Sequence, residues 1–344
     1  MTHTLSLSTL RGLACLLLVA YHVVGDDASR GLHLAEGWLR QGSDALAFLR
    51  MPLFTFLSGI VYGLRPLRGD LTTFMLGKAR RLLLPMLVVG TVYALVQSQV
   101  VGANAARFEW HRLHIEPVDH FWFVEALFWI FLLVGALESA GRHAAGGATR
   151  LLDRPVALAA LWGAAVALQF GADLPRTLGL EGASYLLPYF VAGLAIVRLD
   201  GLDKLCSARM RALLVVVTLL AVLQLGPIVP NPDRHTLPML AAGTAGCLLC
   251  LSLRPQVSLL ARIGSGSYAI YLMHVFFTAG SRLTLQSLGI DGVAPQFVIG
   301  VAMGLAGPLL VQQLARRQPW AAWLLLGESR GESRPDPALQ GARP

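Results

Sequence analysis

Charge is scarce in this sequence. Only 14% of the 344 residues are Asp, Glu, Lys or Arg, against about 25% in an ordinary soluble protein. A soluble fold of this length would need far more charged surface to stay in water. Together with 55% apolar residues and a mean hydropathy of +0.60, this excludes a soluble enzyme and a disordered chain. Cysteine is scarce too, at four residues, so there is no secreted disulfide framework. Cys15, Cys247 and Cys250 lie in apolar runs and Cys206 in a short polar loop. Cys247-x-x-Cys250 resembles a redox or zinc half-site but has no second pair of ligands, so no metal is expected. No internal repeat of fixed period is present, which gives an inverted-repeat transporter no support. A polytopic membrane protein remains.

The first apolar stretch reads as a retained span rather than a signal peptide. No Lys or Arg precedes Arg11, and no small-residue cleavage site follows. A bilayer core of about 30 Å takes about 20 apolar residues per helix. Ten segments fit: 6–24, 43–63, 82–101, 120–137, 155–171, 184–197, 212–229, 236–253, 265–288 and 294–314. The expected fold class is therefore all-α, a polytopic transmembrane helical bundle of about ten spans. The bundle would occupy residues 1–327, and the polar, Pro-rich 328–344 would form a disordered cytoplasmic tail.

Basic residues give the bundle a direction. Nineteen of the 28 Lys and Arg fall in the loops after even-numbered spans and in the tail, six in the alternate loops, and three (Arg11, Arg50, Arg282) within spans. The positive-inside rule then puts both termini in the cytoplasm. The net charge of +8 is on this reading a topology signal, and no nucleic-acid partner is expected.

Ionisable groups inside spans cost about 2.5–3.5 kcal/mol each on insertion scales, so each needs a reason. Arg11 and His22 are eleven residues apart. That is three helical turns to within about 20°, so both project from one face about 16 Å apart along the axis. A neutral imidazole can take a proton from a hydroxyl near neutral pH, which makes His22 the candidate general base. Arg50 lies deep in FLRMPLFTFLSGIVYGL beside Pro52 and needs an anion, either Asp44 six residues earlier or a ligand. As a ligand contact it joins the cofactor-binding set of Lys78, Arg80 and Arg81, which serve either as a topology anchor or as a phosphate clamp. In DHFWFVEALFWIF, His120 and Trp122 are placed near the outer interface. Glu125 lies deeper, where it could orient His22. Tyr268, Tyr271 and His274 recur at three-residue spacing and are read either as packing or as the wall of a polar cavity.

These residues together resemble the acyltransferase 3 family of integral-membrane acyltransferases. The likeness rests on LRGLACLLLVAYH with Arg11 and His22, on FLRMPLFTFLSG, on KARRLLLP, on DHFWFVEAL and on SYAIYLMH. Lys78 stands where the family has Arg, offering a point charge in place of a two-pronged guanidinium. The resemblance implies O-acylation of a sugar in a surface polysaccharide, lipopolysaccharide or glycolipid, at the bacterial inner membrane. Acyl-CoA, most often acetyl-CoA, would be the cytoplasmic donor, with Lys78, Arg80 and Arg81 on its phosphates. Arg11 would hold CoA or the oxyanion. His120, Trp122, Tyr268, Tyr271 and His274 would line the acceptor site. No fused periplasmic domain is expected, so partners from cell-envelope biosynthesis would be separate chains. The rival reading is a proton-coupled transporter of a small solute that uses the same His, Glu and Arg residues.

Overall fold

A computed structural model of the chain describes residues 2–67, 69–100, 109–144, 151–224 and 233–329. The described residues contain fifteen α-helices and no strand. They are α1 (Thr2–Val24), α2 (Trp38–Ala45), α3 (Ala47–Leu64), α4 (Leu71–Lys78), α5 (Leu84–Gln99), α6 (Trp122–Ala144), α7 (Pro155–Gly171), α8 (Leu180–Arg198), α9 (Leu202–Leu205), α10 (Ala208–Gln224), α11 (Leu237–Ser252), α12 (Ser258–Ser265), α13 (Ser267–Ser287), α14 (Val293–Ala315) and α15 (Pro319–Leu326). Long apolar runs adopt helix because only intra-segment hydrogen bonds satisfy the backbone in hydrocarbon.

All ten expected segments are helical over most of their length. Six stretches are long and apolar enough to cross a membrane: Leu5–Val24, Trp38–Leu64, Leu71–Gln99, Asp119–Arg142, Thr177–Arg198 and Val293–Ala315. Helices α7 and α11 are apolar but shorter. Arg68, Arg107 and Arg150 of the charge sorting, and the tail from residue 330, lie outside the described residues.

The third rod differs from expectation. It starts at Leu71, so Lys78, Arg80 and Arg81 stand on helix rather than in a loop. Asp70 starts it by capping the Thr73 N–H at 3.0 Å, and those hydrogen bonds hold its carboxyl below its ordinary pKa. A π-helical turn at Ala79–Leu83 then joins α4 to α5. Such a turn inserts an extra residue and commonly marks a functional site.

Helix α1 packs on α3, α12, α13 and α14. The close crossing of α3 and α8 depends on two glycines. A Cβ on Gly59 of α3 would stand 2.1 Å from the Phe190 carbonyl oxygen, and one on Gly193 of α8 would stand 2.1 Å from that of Phe56. The two backbones meet at reciprocal bare positions, as small residues permit in membrane helices. Gly193→Ala is expected to lower stability by about 1–3 kcal/mol through overpacking, read as an earlier thermal transition in detergent. An unchanged transition would mean that α3 and α8 can separate freely. Helix α3 runs unbroken through Pro52, although that residue removes one ladder donor.

Below this crossing lies a buried polar knot. Glu138 of α6 is almost fully buried, accepts from the Tyr62 hydroxyl at 2.9 Å and pairs with Arg198 at the end of α8. Arg198 also pairs with Asp153.

Candidate functional site

Two cavities flank α1, one reached by each half of the helix. The larger, about 1180 Å³, is lined by His22, Arg50, Tyr93, His120, Trp122 and Tyr271 among others. The smaller, about 560 Å³, is lined by Arg11, Ser58, Lys78, Arg81, Tyr268 and Tyr271. The shared helix face of Arg11 and His22 thus opens into one cavity at each end. Tyr271 borders both, and its hydroxyl donates to the His120 carbonyl.

Three imidazoles cluster at the His22 end. The rings of His22 and His274 are 4.7 Å apart between centroids, those of His120 and His274 4.9 Å, and those of His22 and His120 5.6 Å. Hydrogen bonds fix two tautomers. His274 Nδ1 lies 2.8 Å from the Ile270 carbonyl oxygen and 2.9 Å from that of Tyr271. His22 Nδ1 lies 3.0 Å from the Leu18 carbonyl oxygen and 3.1 Å from His274 Nε2. Carbonyls only accept, so Nδ1 carries the proton on both rings. The one His22 Nδ1–H is then shared between the Leu18 carbonyl and His274 Nε2, and the lone pair of His22 is on Nε2. His274 itself is fully buried and lines neither cavity.

His120 packs against the same cluster with Asp119 Oδ2 3.8 Å from its Nδ1. Asp119 takes a positive φ of 47° at the turn into α6, a conformation rare outside glycine. Tyr93 donates to its Oδ2 at 2.6 Å, and Gln97 donates to the Tyr93 hydroxyl at 2.9 Å. A locally unfavourable backbone held by side-chain bonds is common beside reactive groups.

Two expected pairings are corrected by this geometry. Glu125 does not orient His22: neither of its carboxyl oxygens has a hydrogen-bond partner among the described residues. Its Cβ faces Gly179 at the start of α8, and His274 occupies the position beside His22. Asp44 does not pair with Arg50. It binds Arg40 Nε at 2.8 Å, one helical turn away and equally buried. Arg40 also donates to the carbonyls of Gly25 and Asp26, which ties α2 to the end of α1 just past His22.

The expected cofactor-binding set is divided. Lys78 and Arg81 line the smaller cavity, whereas Arg50 lines the larger one and stacks 3.7 Å over the Tyr21 ring. Arg80 sits on the π turn and lines neither cavity. Lys78 places its ammonium 3.6 Å over the Phe131 ring, a cation–π contact that fixes an otherwise flexible chain. Of the residues expected at the acceptor site, His120, Trp122 and Tyr271 line the larger cavity. Tyr268 lines the smaller, with its hydroxyl donating to the Leu82 carbonyl at 2.6 Å.

Sequence reading missed Asp119, Tyr93 and Arg234. Asp119 was in view beside His120, and only the fold brings Tyr93 to it. All four cysteines are free. No group of three or more His, Cys, Asp or Glu among the described residues is placed to hold a metal ion.

A family profile described as an acyltransferase domain matches residues 4–312. No curated protein and no solved structure matches the chain.

Proposed function

The chain belongs to the acyltransferase 3 family, and from that membership we propose that it is an O-acyltransferase moving an acetyl group from cytoplasmic acetyl-CoA to a sugar hydroxyl of a cell-surface glycan or glycolipid. Ten spans, cytoplasmic termini and residence in a bacterial inner membrane complete the reading. The ten helical segments support it, and so does the excess of basic residues in the loops after even-numbered segments and in the tail, which persists with Lys78, Arg80 and Arg81 counted on the third rod.

The carrying observation is the pair of cavities joined by one helix face. On this reading CoA enters the smaller cavity. Lys78 and Arg81 hold its phosphates through charge-assisted hydrogen bonds, and Arg11 lies further along the pantetheine path. The acceptor hydroxyl enters the larger cavity, where His22 Nε2 takes its proton as the oxygen attacks the thioester carbonyl. The C–S bond breaks, the CoA thiolate leaves and is protonated, and the ester remains on the sugar. Oxyanion stabilisation falls to a donor near Tyr271, which borders both cavities. His274 is a positioning residue that holds His22 in the tautomer with Nε2 unprotonated.

Two experiments test this. Surface glycans compared by mass spectrometry with and without the gene should show an acetyl mass that is lost on deletion; identical glycans would refute the acceptor class. Purified protein should bind acetyl-CoA, and Lys78→Ala and Arg81→Ala should each weaken it by about 10–100-fold, the worth of a charged hydrogen bond. Affinity unchanged in both variants would move the phosphates elsewhere.

A further inference from the structure

Four of the arginines lining the larger cavity, Arg50, Arg176, Arg234 and Arg282, have no carboxylate partner among the described residues, and two of them, Arg50 and Arg234, lie over aromatic rings. Arg50 is 8% exposed. Its contacts are the Tyr21 ring and a long 3.4 Å hydrogen bond to Ser43 Oγ. The Arg234 guanidinium lies 5.0 Å from the Trp122 ring and 5.7 Å from the Tyr185 ring. Neither has an ion pair among the described residues. Stacking on an aromatic face leaves the N–H edge of a guanidinium free for a bidentate acceptor.

The surrounding acids face other partners. Arg30 takes Asp26 at 3.3 Å and Asp119 at 3.7 Å. Arg112 takes Glu116 at 2.8 Å and Glu109 at 3.7 Å. Glu181 lies 3.4 Å from His235 Nε2, and Asp233 accepts from the His235 backbone N–H at 2.8 Å. Asp44 is held by Arg40 through Oδ2, and its buried Oδ1 alone of these acids' buried carboxyl oxygens has no hydrogen bond among the described residues. A cation buried in a span calls for an anion, and here the protein withholds one. Arg50 stacks on Tyr21, the chain neighbour of His22, whose two rings are 5.0 Å apart. An anion on Arg50 therefore sits one aromatic ring away from the proposed base.

We infer that Arg50 and Arg234 form an anion site that selects an acceptor glycan bearing a carboxylate or phosphate close to the acylated hydroxyl. This rests on the proposed acyltransferase reading and adds a substrate class to it. It also moves Arg50 from the donor side, where the sequence placed it, to the acceptor side.

The test uses full-length protein in phosphatidylcholine nanodiscs and three matched probes: a disaccharide ending in glucose, the same ending in glucuronate, and the same ending in glucose 6-phosphate. Affinity is measured directly in the absence of acetyl-CoA, so it does not depend on acyl transfer. Wild-type protein should bind at least one anionic probe about tenfold or more tighter than the neutral one, and the better of the two identifies the group. Arg234→Gln should erase that advantage and leave the neutral probe within about twofold. Its exposed position keeps folding out of the result. Arg50→Gln should do the same, with part of the advantage restored in Arg50→Lys. Wild-type protein that binds no probe, or all three alike, overturns the inference. So does an Arg234→Gln variant that keeps the preference or loses the neutral probe in parallel. Acetyl-CoA binding measured on the same sample is a separate readout: its absence would overturn the donor assignment and leave the anion site standing.

Discussion

His22→Ala is expected to lower acetyl transfer by about 10²–10⁴-fold, the range ascribed to a positioned general base. Acetyl-CoA affinity should stay within about twofold, because His22 and the Lys78–Arg81 pair line different cavities. The melting temperature should hardly change. The tautomer chain adds a graded companion. In His274→Gln the side-chain oxygen can still accept from His22 Nδ1–H, so that variant should retain more activity than His274→Ala. A merely space-filling role for His274 would not distinguish the two. Full transfer by His22→Ala would remove His22 from the chemistry.

Glu138→Ala should be the most destabilising single change, at about 3–5 kcal/mol, as for other buried ion pairs broken on one side. Glu138 is the shared acceptor of Tyr62 and Arg198, so it joins three helices: α3 through Tyr62, α6 through itself and α8 through Arg198. Its loss leaves the nearly buried Arg198 side chain to Asp153, which is itself half-exposed, and leaves the Tyr62 hydroxyl without its acceptor. Glu138→Gln keeps an acceptor for Tyr62 and should lose less. The measurement is thermal or denaturant unfolding in detergent, with residual acetyl-CoA binding as a check on the folded fraction. A shift smaller than that of Gly193→Ala would show that Asp153 alone satisfies Arg198.

Much of this architecture is readable from residues that a membrane makes expensive. The spacing of Arg11 and His22 gives their shared face directly, because both lie on one regular helix. The helical segments follow from runs of apolar residues for the same reason. Contacts between distant helices were not readable. His22 and His274 are 252 positions apart, and no periodicity sets the rotation of one helix against another. Glu125 is the acid that the fourth apolar segment offers to His22, and the rotation of α6 turns it toward Gly179 instead. Charge alone groups Arg50 with the basic cluster, although stacking on Tyr21 puts it in the opposite cavity. Asp44 was equally available on paper to Arg40 and Arg50. The i,i+4 spacing within α2 favoured Arg40.

The partition at Tyr271 has an electrical consequence. Where two wet cavities approach each other, the membrane voltage falls mainly across the dry layer between them. On the proposed topology an acetyl group passes outward there in exchange for a hydroxyl hydrogen. If that hydrogen travels inward as a proton to complete the CoA thiol, turnover moves no net charge. If His22 releases it on its own side, each turnover separates one charge, at about 2.3 kcal/mol per 100 mV. The voltage dependence of transfer in sealed vesicles therefore reports the direction in which His22 gives up its proton.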